Sequence, residues 1–309
     1  MSKGTDPNAP LSLRGHFTKL FAGLTVKPAL HDPDMARKRL RVNKLAKLTW
    51  PASGATYTAG QLGEIPVEWV AHPASGARGF VLYLHGGAYV TGSPRSHRAL
   101  TSRLARDARV CVAVPDYRLA PEHPFPAAVD DALAAYRGLL EQDISANKII
   151  IAGDSAGGGL SLALALRLKS EPLPQPAGIV CLSPWTDLTM SGDSVSSRAK
   201  LEVMLSRQLG ADSAAQYLAG QDPKQPLASP LFAELGGLAP LLIQVGGQEI
   251  LHDDSTRLAQ RASAQGVPVT LQIWPRLWHV WQLHGGLMPE SDAAIRAIAD
   301  FIHARLTGR

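Results

Sequence analysis

The feature that most constrains the fold is an apolar run that breaks abruptly into small residues around a single serine. Residues 149–152 read Ile-Ile-Ile-Ala and are followed by Gly-Asp-Ser-Ala-Gly at residues 153–157. Only residues with little or no side chain fit beside a serine held in a sharp strand-to-helix turn. Residues 160–166 are rich in helix formers. The pattern predicts a nucleophile elbow that exposes the Ser155 hydroxyl, although such a match alone also fits an ordinary tight turn.

A second glycine-containing turn lies upstream of the serine. The apolar run at residues 79–84 ends in His-Gly-Gly-Ala-Tyr at residues 85–89. A glycine pair leaves backbone N–H groups uncovered, and such donors stabilise the negative charge that acyl transfer builds on a carbonyl oxygen. Three backbone N–H groups are candidates for this oxyanion hole: those of Gly86, Gly87 and Ala156. The alternative is a plain glycine turn in which His85 bonds its own loop.

Three motifs together resemble a known family. The segments at residues 85–89, 116–128 and 153–158 follow the order and spacing of the bacterial hormone-sensitive-lipase-like esterases, and Asp154 before the serine is similar to their GDSAG branch. The likeness runs from about Trp50 to the C-terminus. It implies an α/β-hydrolase fold with a helical cap over the pocket. Ala88 stands where many members carry a third glycine, a departure of little weight because the donors are backbone groups.

The block at residues 116–128 carries Arg118 and Glu122 beside a proline-rich turn. Fixed prolines and paired charges stiffen a loop. We therefore expect these two side chains to hold the loop rather than to contact a substrate.

A serine nucleophile needs a base, which in this fold follows the serine and the acid along the chain. Residues 267–274 are predicted to form the last strand, and His279 lies in the loop after it. In the resembled family the histidine holds this position, often with an aromatic residue two positions later, as Trp281 is here. His284 is the alternative base. His303 falls in a predicted terminal helix, where we expect it on the solvent-exposed face.

The orienting acid is predicted in the segment that follows the apolar strand at residues 241–245. Relatives carry a D-x-L-x-D pattern there, with the first aspartate in the triad, and Glu249 overlays on that position. Either carboxylate can orient an imidazole. Three aspartates remain alternative candidates for the acid: Asp253, Asp254 and Asp187. The structural explanation of the first two is a charge at the start of the following helix, and that of Asp187 is a turn residue.

Strand-like and helix-like segments alternate along the chain, which predicts a mostly parallel sheet with helices on both faces. The predicted strands cover residues 65–71, 79–84, 109–114, 148–153, 178–183, 241–245 and 267–274. The predicted helices cover residues 98–107, 127–142, 156–170, 255–264 and 293–306. Residues 1–48 and 189–227 are helix-prone and outside this alternation. By the resemblance they form the cap, which leaves residues 49–188 and 228–309 as the catalytic core.

Length and composition favour a single catalytic unit. The 309 residues, 45% of them hydrophobic, suffice to bury a large core. The apolar runs are too short for a stable membrane insertion, and the first residues lack the apolar core of a signal peptide. The two cysteines, Cys111 and Cys181, lie in apolar runs and indicate reduced packing residues, so we expect a cytoplasmic protein.

The net charge of +5 is partly local to one segment. Basic residues alternate with apolar ones at helical spacing over residues 35–48, which include Lys38. We interpret this segment as a helix with a solvated basic face that covers the active site; attraction to a lipid surface or an acidic substrate is the alternative. Aromatic residues are not interleaved as in nucleic-acid-binding segments, so no nucleic-acid partner is expected.

Together the motifs predict a serine carboxylic-ester hydrolase that forms an acyl-enzyme and needs no cofactor or metal. The catalytic residues are Ser155, His279 and Glu249, and the substrate is a small ester with a short acyl chain. An amidase or deacetylase with the same triad is the enzymatic alternative. The non-enzymatic alternative is a ligand-binding protein of the same fold. The presence of His279 argues against it. An apolar last strand at the sheet edge would allow a homodimer.

Overall fold

The computed structural model describes residues 9–76 and 79–308, and an eight-stranded sheet forms its centre. The strands are β1 (Thr56–Leu62), β2 (Ile65–Ala71), β3 (Phe80–Leu84), β4 (Cys111–Pro115), β5 (Ile149–Asp154), β6 (Gly178–Leu182), β7 (Leu241–Gly246) and β8 (Val269–Trp274). Their order in space is β1-β2-β4-β3-β5-β6-β7-β8. The first two pairings are antiparallel and the other five are parallel. The predicted α/β-hydrolase fold with a mostly parallel sheet is therefore confirmed.

Helices cover both faces of the sheet because its inner strands are apolar on both sides. The helices are α1 (Leu13–Phe21), α2 (Lys27–Leu30), α3 (Met35–Ala46), α4 (Arg98–Asp107), α5 (Ala127–Glu141), α6 (Ala156–Ser170), α7 (Ser194–Ser197), α8 (Arg207–Leu218), α9 (His252–Ala264) and α10 (Pro289–Leu306), with a π-helical turn at Ala22–Val26 between α1 and α2. Short 3₁₀ turns occupy Pro94–His97, Ala146–Lys148, Pro230–Phe232 and Trp281–His284.

The core is divided by the sheet into two layers. In β3, Val81 packs in the cluster of α4 and α10, whereas its neighbour Leu82 packs in the cluster of α5 and α6. In β7, Leu242 packs with α10, and Ile243 packs with α9 on the opposite face. This alternation follows from the two-residue period of a strand. The parallel pairing of β3 to β8 puts the carboxyl ends of these strands at one edge of the sheet, where the loops after them meet.

The seven predicted strands are all present, with ends that differ by at most two residues. The strand β1 was not predicted. It is an edge strand whose residues are mostly exposed or half-buried, so it lacks the apolar run that marks the inner strands. The last strand, β8, lies at the opposite edge, as the sequence predicts.

The two segments outside the alternation are helical and lie outside the sheet. Residues 1–48 contain α1 to α3, although residues 1–8 are outside the described range, and residues 189–227 contain α7 and α8. Helix α3 begins at Met35 because the Asp34 carboxylate accepts a hydrogen bond from the Arg37 N–H. Within the described residues, no helix combines the length and apolar character needed to cross a bilayer.

One residue of the predicted basic face departs from its expected position. Lys38 was expected on the solvated face of α3, but it is only 8% exposed. The neighbouring Arg37 is exposed and pairs with Asp32, which lies just before the helix. A charged side chain buried on the inner face is not distinguishable by spacing from its exposed neighbours, because basic residues occur on both sides of this helix.

Candidate active site

Ser155 occupies the turn between β5 and α6 that the sequence predicts. Its backbone has φ 52° and ψ −122°, a strained conformation for a residue with a side chain. The turn is possible because its neighbours are glycines. A Cβ on Gly153 would collide with the Gly157 carbonyl, and one on Gly157 would collide with the Leu84 carbonyl. The turn therefore fixes the Ser155 hydroxyl at the carboxyl edge of the sheet.

The three residues predicted as nucleophile, base and acid lie in one hydrogen-bonded chain. The distance from Ser155 Oγ to His279 Nε2 is 2.9 Å, and that from His279 Nδ1 to Glu249 Oε2 is also 2.9 Å. Because a carboxylate can only accept, Nδ1 of His279 carries the proton and Nε2 accepts from the Ser155 hydroxyl. The three side chains are contributed by loops after β5, β7 and β8, which end at the same sheet edge.

The chain of contacts sets the protonation behaviour of His279. Burial opposes the charged imidazolium, but the hydrogen bond and charge of Glu249 outweigh it and raise the pKa of His279. The carboxylate thus stabilises the imidazolium that forms when a histidine takes a proton from a serine.

Glu249 is held from its far side by groups that the sequence did not single out. The Ser183 hydroxyl donates to Glu249 Oε1 at 2.7 Å, and the Gly246 N–H donates to the same oxygen. Ser183 also accepts from the Val280 N–H at 3.2 Å, next to His279. Ser183 therefore ties the acid to the histidine loop. It follows β6 as an isolated serine, and no motif marks it.

The loop that carries His279 is anchored by buried tryptophans. Trp278 and Trp281 flank the histidine and are fully buried, and Trp281 lies 5.7 Å from Trp274 between ring centroids. Bulky aromatic side chains contribute large buried area and fix the loop against the core. The position of the imidazole is thereby determined by packing as well as by hydrogen bonds.

A second buried carboxylate, that of Glu202, lies close to Glu249. It is 3% exposed and accepts from the backbone N–H groups of Met204, Leu205 and Ile250. Burial raises its pKa, although the charge of His279 acts in the opposite direction. Glu202 thus fastens the segment before α8 to the residue that follows Glu249. Its role depends on backbone contacts, which sequence spacing does not reveal.

The glycine loop after β3 is organised by Asp154. The Asp154 Oδ1 atom accepts from the Gly86 N–H at 3.0 Å and from the Tyr83 hydroxyl at 2.7 Å, and His97 Nε2 lies 3.2 Å away. Burial opposes ionisation, but the charge of His97 and these hydrogen bonds outweigh it and lower the pKa of Asp154. A Cβ on Gly86 would collide with this carboxylate, which explains the glycine.

This arrangement corrects one part of the predicted oxyanion hole. The Gly86 N–H was expected to be a free donor, but it is already paired because the buried Asp154 carboxylate needs donors. In the described part of the chain, the N–H groups of Gly87, Ala88 and Ala156 have no acceptor. Gly87 and Ala88 have φ angles of 124° and 55°, and both residues line one cleft together with Ser155.

His85 and the proline-rich loop have the structural roles that were considered for them. His85 Nδ1 lies 2.9 Å from the Gly86 carbonyl, so His85 does bond its own loop. Arg118 forms a two-pronged ion pair with Asp131. Glu122 pairs in the same way with Arg39 of α3. The loop is therefore held by charges, and Arg39 also ties α3 to it.

The alternative histidines and acids do not contact the serine or His279. His284 lines the cleft above Ser155 and His279, and burial lowers its pKa to about 4. His303 is half-buried and bonds the Ala108 carbonyl. Asp253 and Asp254 lie in the first turn of α9. The Asp253 carboxylate accepts from the Ser194 N–H, and the fully buried Asp254 accepts from backbone N–H groups at residues 186 and 187. Asp187 holds its own turn through Thr189 and Ser191.

A cleft opens above Ser155 and His279. Its walls come from the glycine loop, from the inner face of α3, from Met204 and Leu205, and from Leu209 of α8. The two helical segments thus both border the cleft, and most of its walls are apolar. Such a cleft can hold a small, largely apolar molecule with a carbonyl group placed at the serine.

The chain is similar in sequence and in structure to known hydrolases and esterases. A model of the alpha/beta hydrolase fold matches residues 81–283. An acetyl-hydrolase of Streptomyces hygroscopicus is 47% identical over 241 residues, 78% of this chain and 80% of that protein. An esterase of Acinetobacter venetianus is 40% identical over 222 residues, 72% of this chain and 73% of that protein. A crystal structure of an esterase from the bacterial hormone-sensitive lipase family superimposes with a TM-score of 0.91 at 38% identity, covering 96% of this chain and 100% of that one.

Proposed function

Since this chain belongs to the bacterial hormone-sensitive-lipase family of alpha/beta-hydrolases and is a carboxylic-ester hydrolase, we propose that Ser155, His279 and Glu249 are its nucleophile, general base and orienting acid. The observation that carries these assignments is the hydrogen-bonded chain from Ser155 Oγ through His279 to Glu249. This order of contacts is the one that activates a serine hydroxyl.

The proposed reaction has two halves. Ser155 Oγ attacks the ester carbonyl while its proton passes to His279 Nε2, and the N–H groups of Gly87, Ala88 and Ala156 stabilise the oxyanion. The tetrahedral intermediate collapses, and His279 gives its proton to the leaving alcohol, which leaves an acyl group on Ser155. Water then gives a proton to His279 and attacks the acyl group. As the second intermediate collapses, His279 returns that proton to Ser155 Oγ, the acid is released and the free serine is restored.

The two helical segments are proposed to act as a cap over this site. Residues on α3 and α8 border the cleft from outside the sheet. Arg39 of α3 is held by the Val90 and Ala120 carbonyls, and Glu202 is held by the Ile250 N–H. Both segments are therefore attached to core loops next to the catalytic residues, which supports a role in shaping the pocket.

We predict a preference for short acyl chains. Both proposed cap segments contribute lining residues to the cleft, and side chains such as Leu205 and Leu209 limit the room for a long acyl chain. The Streptomyces acetyl-hydrolase also bears the name of a two-carbon acyl group. A series of p-nitrophenyl esters from acetate to palmitate, assayed for kcat/KM, should fall with chain length beyond the shortest members. Faster hydrolysis of emulsified long-chain triglyceride than of soluble short esters would contradict this preference.

We also propose a homodimer that pairs through β8. This strand is at the sheet edge, and Ile273 on it is 38% exposed. An exposed apolar edge allows two copies to pair isologously. Light scattering at micromolar protein concentration should give twice the chain mass of 32.9 kDa. A monomer mass would contradict the proposal, and Ile273→Lys should shift a dimer toward monomer without loss of ester hydrolysis.

A cytoplasmic location is proposed from cysteine chemistry. Cys111 and Cys181 are both free, and Cys181 is fully buried. Free, packed thiols suit a reducing compartment. Fractionation of the producing cell, followed by immunodetection of the chain, would test the location directly.

A further inference from the structure

Lys38 is a buried cation in the wall of the active-site cleft. It lies on the inner face of α3 with Val42, Leu45 and Ala46, at the i, i+4, i+7 and i+8 spacing of one helix face, and all four line the cleft. The residue is 8% exposed, and the cleft it borders also contains Ser155 and His279. Withdrawing a lysine from bulk water costs free energy, and an anionic partner for its ammonium in the cleft would reduce that cost.

No such partner is present in the described residues. The Lys38 ammonium makes no hydrogen bond there and no ion pair within 4.0 Å. The two carboxylates that act on it from a longer distance have partners of their own. Asp32 pairs with Arg37 and Arg41, and Asp212 accepts from the Gln208 amide.

The pKa of Lys38 reflects the lack of a nearby carboxylate. Burial lowers the pKa of Lys38, and the more distant charges of Asp212 and Asp32 only partly oppose the effect. Two other groups in the cleft wall, Asp154 and His97, are already paired with each other, and Asp154 is also bonded to Tyr83 and the glycine loop. Among the described residues of the cleft wall, Lys38 is therefore the charged group that makes no hydrogen bond to another protein group.

We propose that Lys38 binds an anionic group of the substrate, so that the enzyme favours esters that carry a carboxylate at a distance from the scissile bond. This inference rests on the proposed esterase function and deepens it. A carboxylate entering the cleft would accept a charge-assisted hydrogen bond from the ammonium, which otherwise has no acceptor. The anion belongs either to the acid half of the ester or to its alcohol half, and both halves share the same recognition chemistry.

The test compares anionic esters with neutral esters of the same skeleton. Monoethyl succinate against diethyl succinate probes an anion in the acid half, with ethanol release as the readout. 3-Acetoxypropanoate against its methyl ester probes an anion in the alcohol half, with acetate release as the readout. In Lys38→Met, which keeps a long unbranched side chain, kcat/KM for the anionic member of at least one pair should fall roughly 10- to 100-fold, the size expected for loss of a charge-assisted hydrogen bond.

A matched control is available on the same helix. Lys44 is exposed on α3, and Lys44→Met removes the same charge from the protein without touching the cleft. This variant should leave both members of each pair unchanged. The neutral member of each pair is the internal reference in Lys38→Met, so the anionic-to-neutral ratio of kcat/KM should fall, and an unchanged thermal unfolding midpoint would show that the fold is retained. Succinate should also inhibit neutral-ester hydrolysis more strongly in the wild-type enzyme than in Lys38→Met.

The outcomes separate this inference from the function on which it rests. Normal hydrolysis of neutral esters, with the same anionic-to-neutral ratio in the wild type and Lys38→Met for both pairs, would overturn the role of Lys38 alone. Absence of hydrolysis for every ester in the wild type would instead overturn the esterase function, and the inference with it.

Discussion

Ser155→Ala is expected to abolish ester hydrolysis while the protein stays folded. The substitution removes only the hydroxyl oxygen that lies 2.9 Å from His279 Nε2, so the nucleophile is lost and no core cavity is created. The Cβ that the strained turn accommodates is the same in both residues. Loss of the nucleophilic serine in a serine protease lowers kcat by about 10⁶-fold, and we expect a loss of similar size here. The measurement is the initial rate of p-nitrophenyl acetate hydrolysis, corrected for the spontaneous reaction.

The control for this prediction lies on the helix that follows the serine. Ser170 is exposed at the far end of α6, and Ser170→Ala should retain full activity. A fluorophosphonate should add to the wild type and to Ser170→Ala in a mass spectrum, with the modification located on Ser155, and should not add to Ser155→Ala. Rates close to wild type in Ser155→Ala would contradict a covalent mechanism through this residue.

The elbow and seven of the eight strands could be predicted because their signals are local. A run of apolar residues followed by glycines around Ser155 is a property of a short segment, and the parallel strand ends bring distant loops together by topology. The position of Glu249 required one further step, the overlay of an acidic cluster on a family pattern. The structure brings Glu249 to His279 because β7 and β8 are neighbours in the sheet.

The contacts that support these residues could not be predicted in the same way. Gly86 looks like a donor to a substrate until the carboxylate of Asp154, 68 residues later, is placed beside its N–H. Ser183 holds Glu249 across 66 residues, and Glu202 reaches Ile250 across 48. Side-chain partners at such separations depend on the packed arrangement, and a single serine or glutamate carries no periodic signal. The burial of Lys38 could not be predicted either, since helical spacing shows which residues share a face but not what covers that face.

Glu249→Gln is expected to lower kcat/KM by about 10⁴-fold, the loss known for the equivalent change in a serine protease. The reason lies in the donors around the carboxylate. Glu249 Oε1 accepts from the Ser183 hydroxyl and the Gly246 N–H, so these two groups would hold the amide oxygen of a glutamine. The amide nitrogen would then face His279 Nδ1, which would have to accept. The proton of a neutral His279 would move to Nε2, where it prevents the ring from taking the proton of Ser155.

The same substitution should shift the pH dependence in a defined direction. Burial opposes the charged form of His279, and Glu249 outweighs it and raises the pKa of His279. A general base works unprotonated, so wild-type activity falls as the pH drops through this raised pKa. Without the carboxylate charge the pKa of His279 falls, and the acid limb of the residual kcat/KM profile should move to lower pH. A residue with a merely structural role would reduce the rate without moving this limb.

Asp253→Asn is the matched control, because Asp253 belongs to the same acidic cluster and lies outside the catalytic contacts. Its carboxylate accepts from the Ser194 N–H at 2.9 Å and lies 3.2 Å from His252 Nδ1. An amide oxygen can keep the first of these contacts, so the expected cost is about 1 kcal/mol of stability or less, with little loss of rate. Asp254 is less suitable, since it is fully buried and its substitution would test folding instead. A crippled Asp253→Asn beside a nearly normal Glu249→Gln would move the acid to Asp253, one turn further along the chain, and would mean that the loop after β7 is arranged differently in the working enzyme.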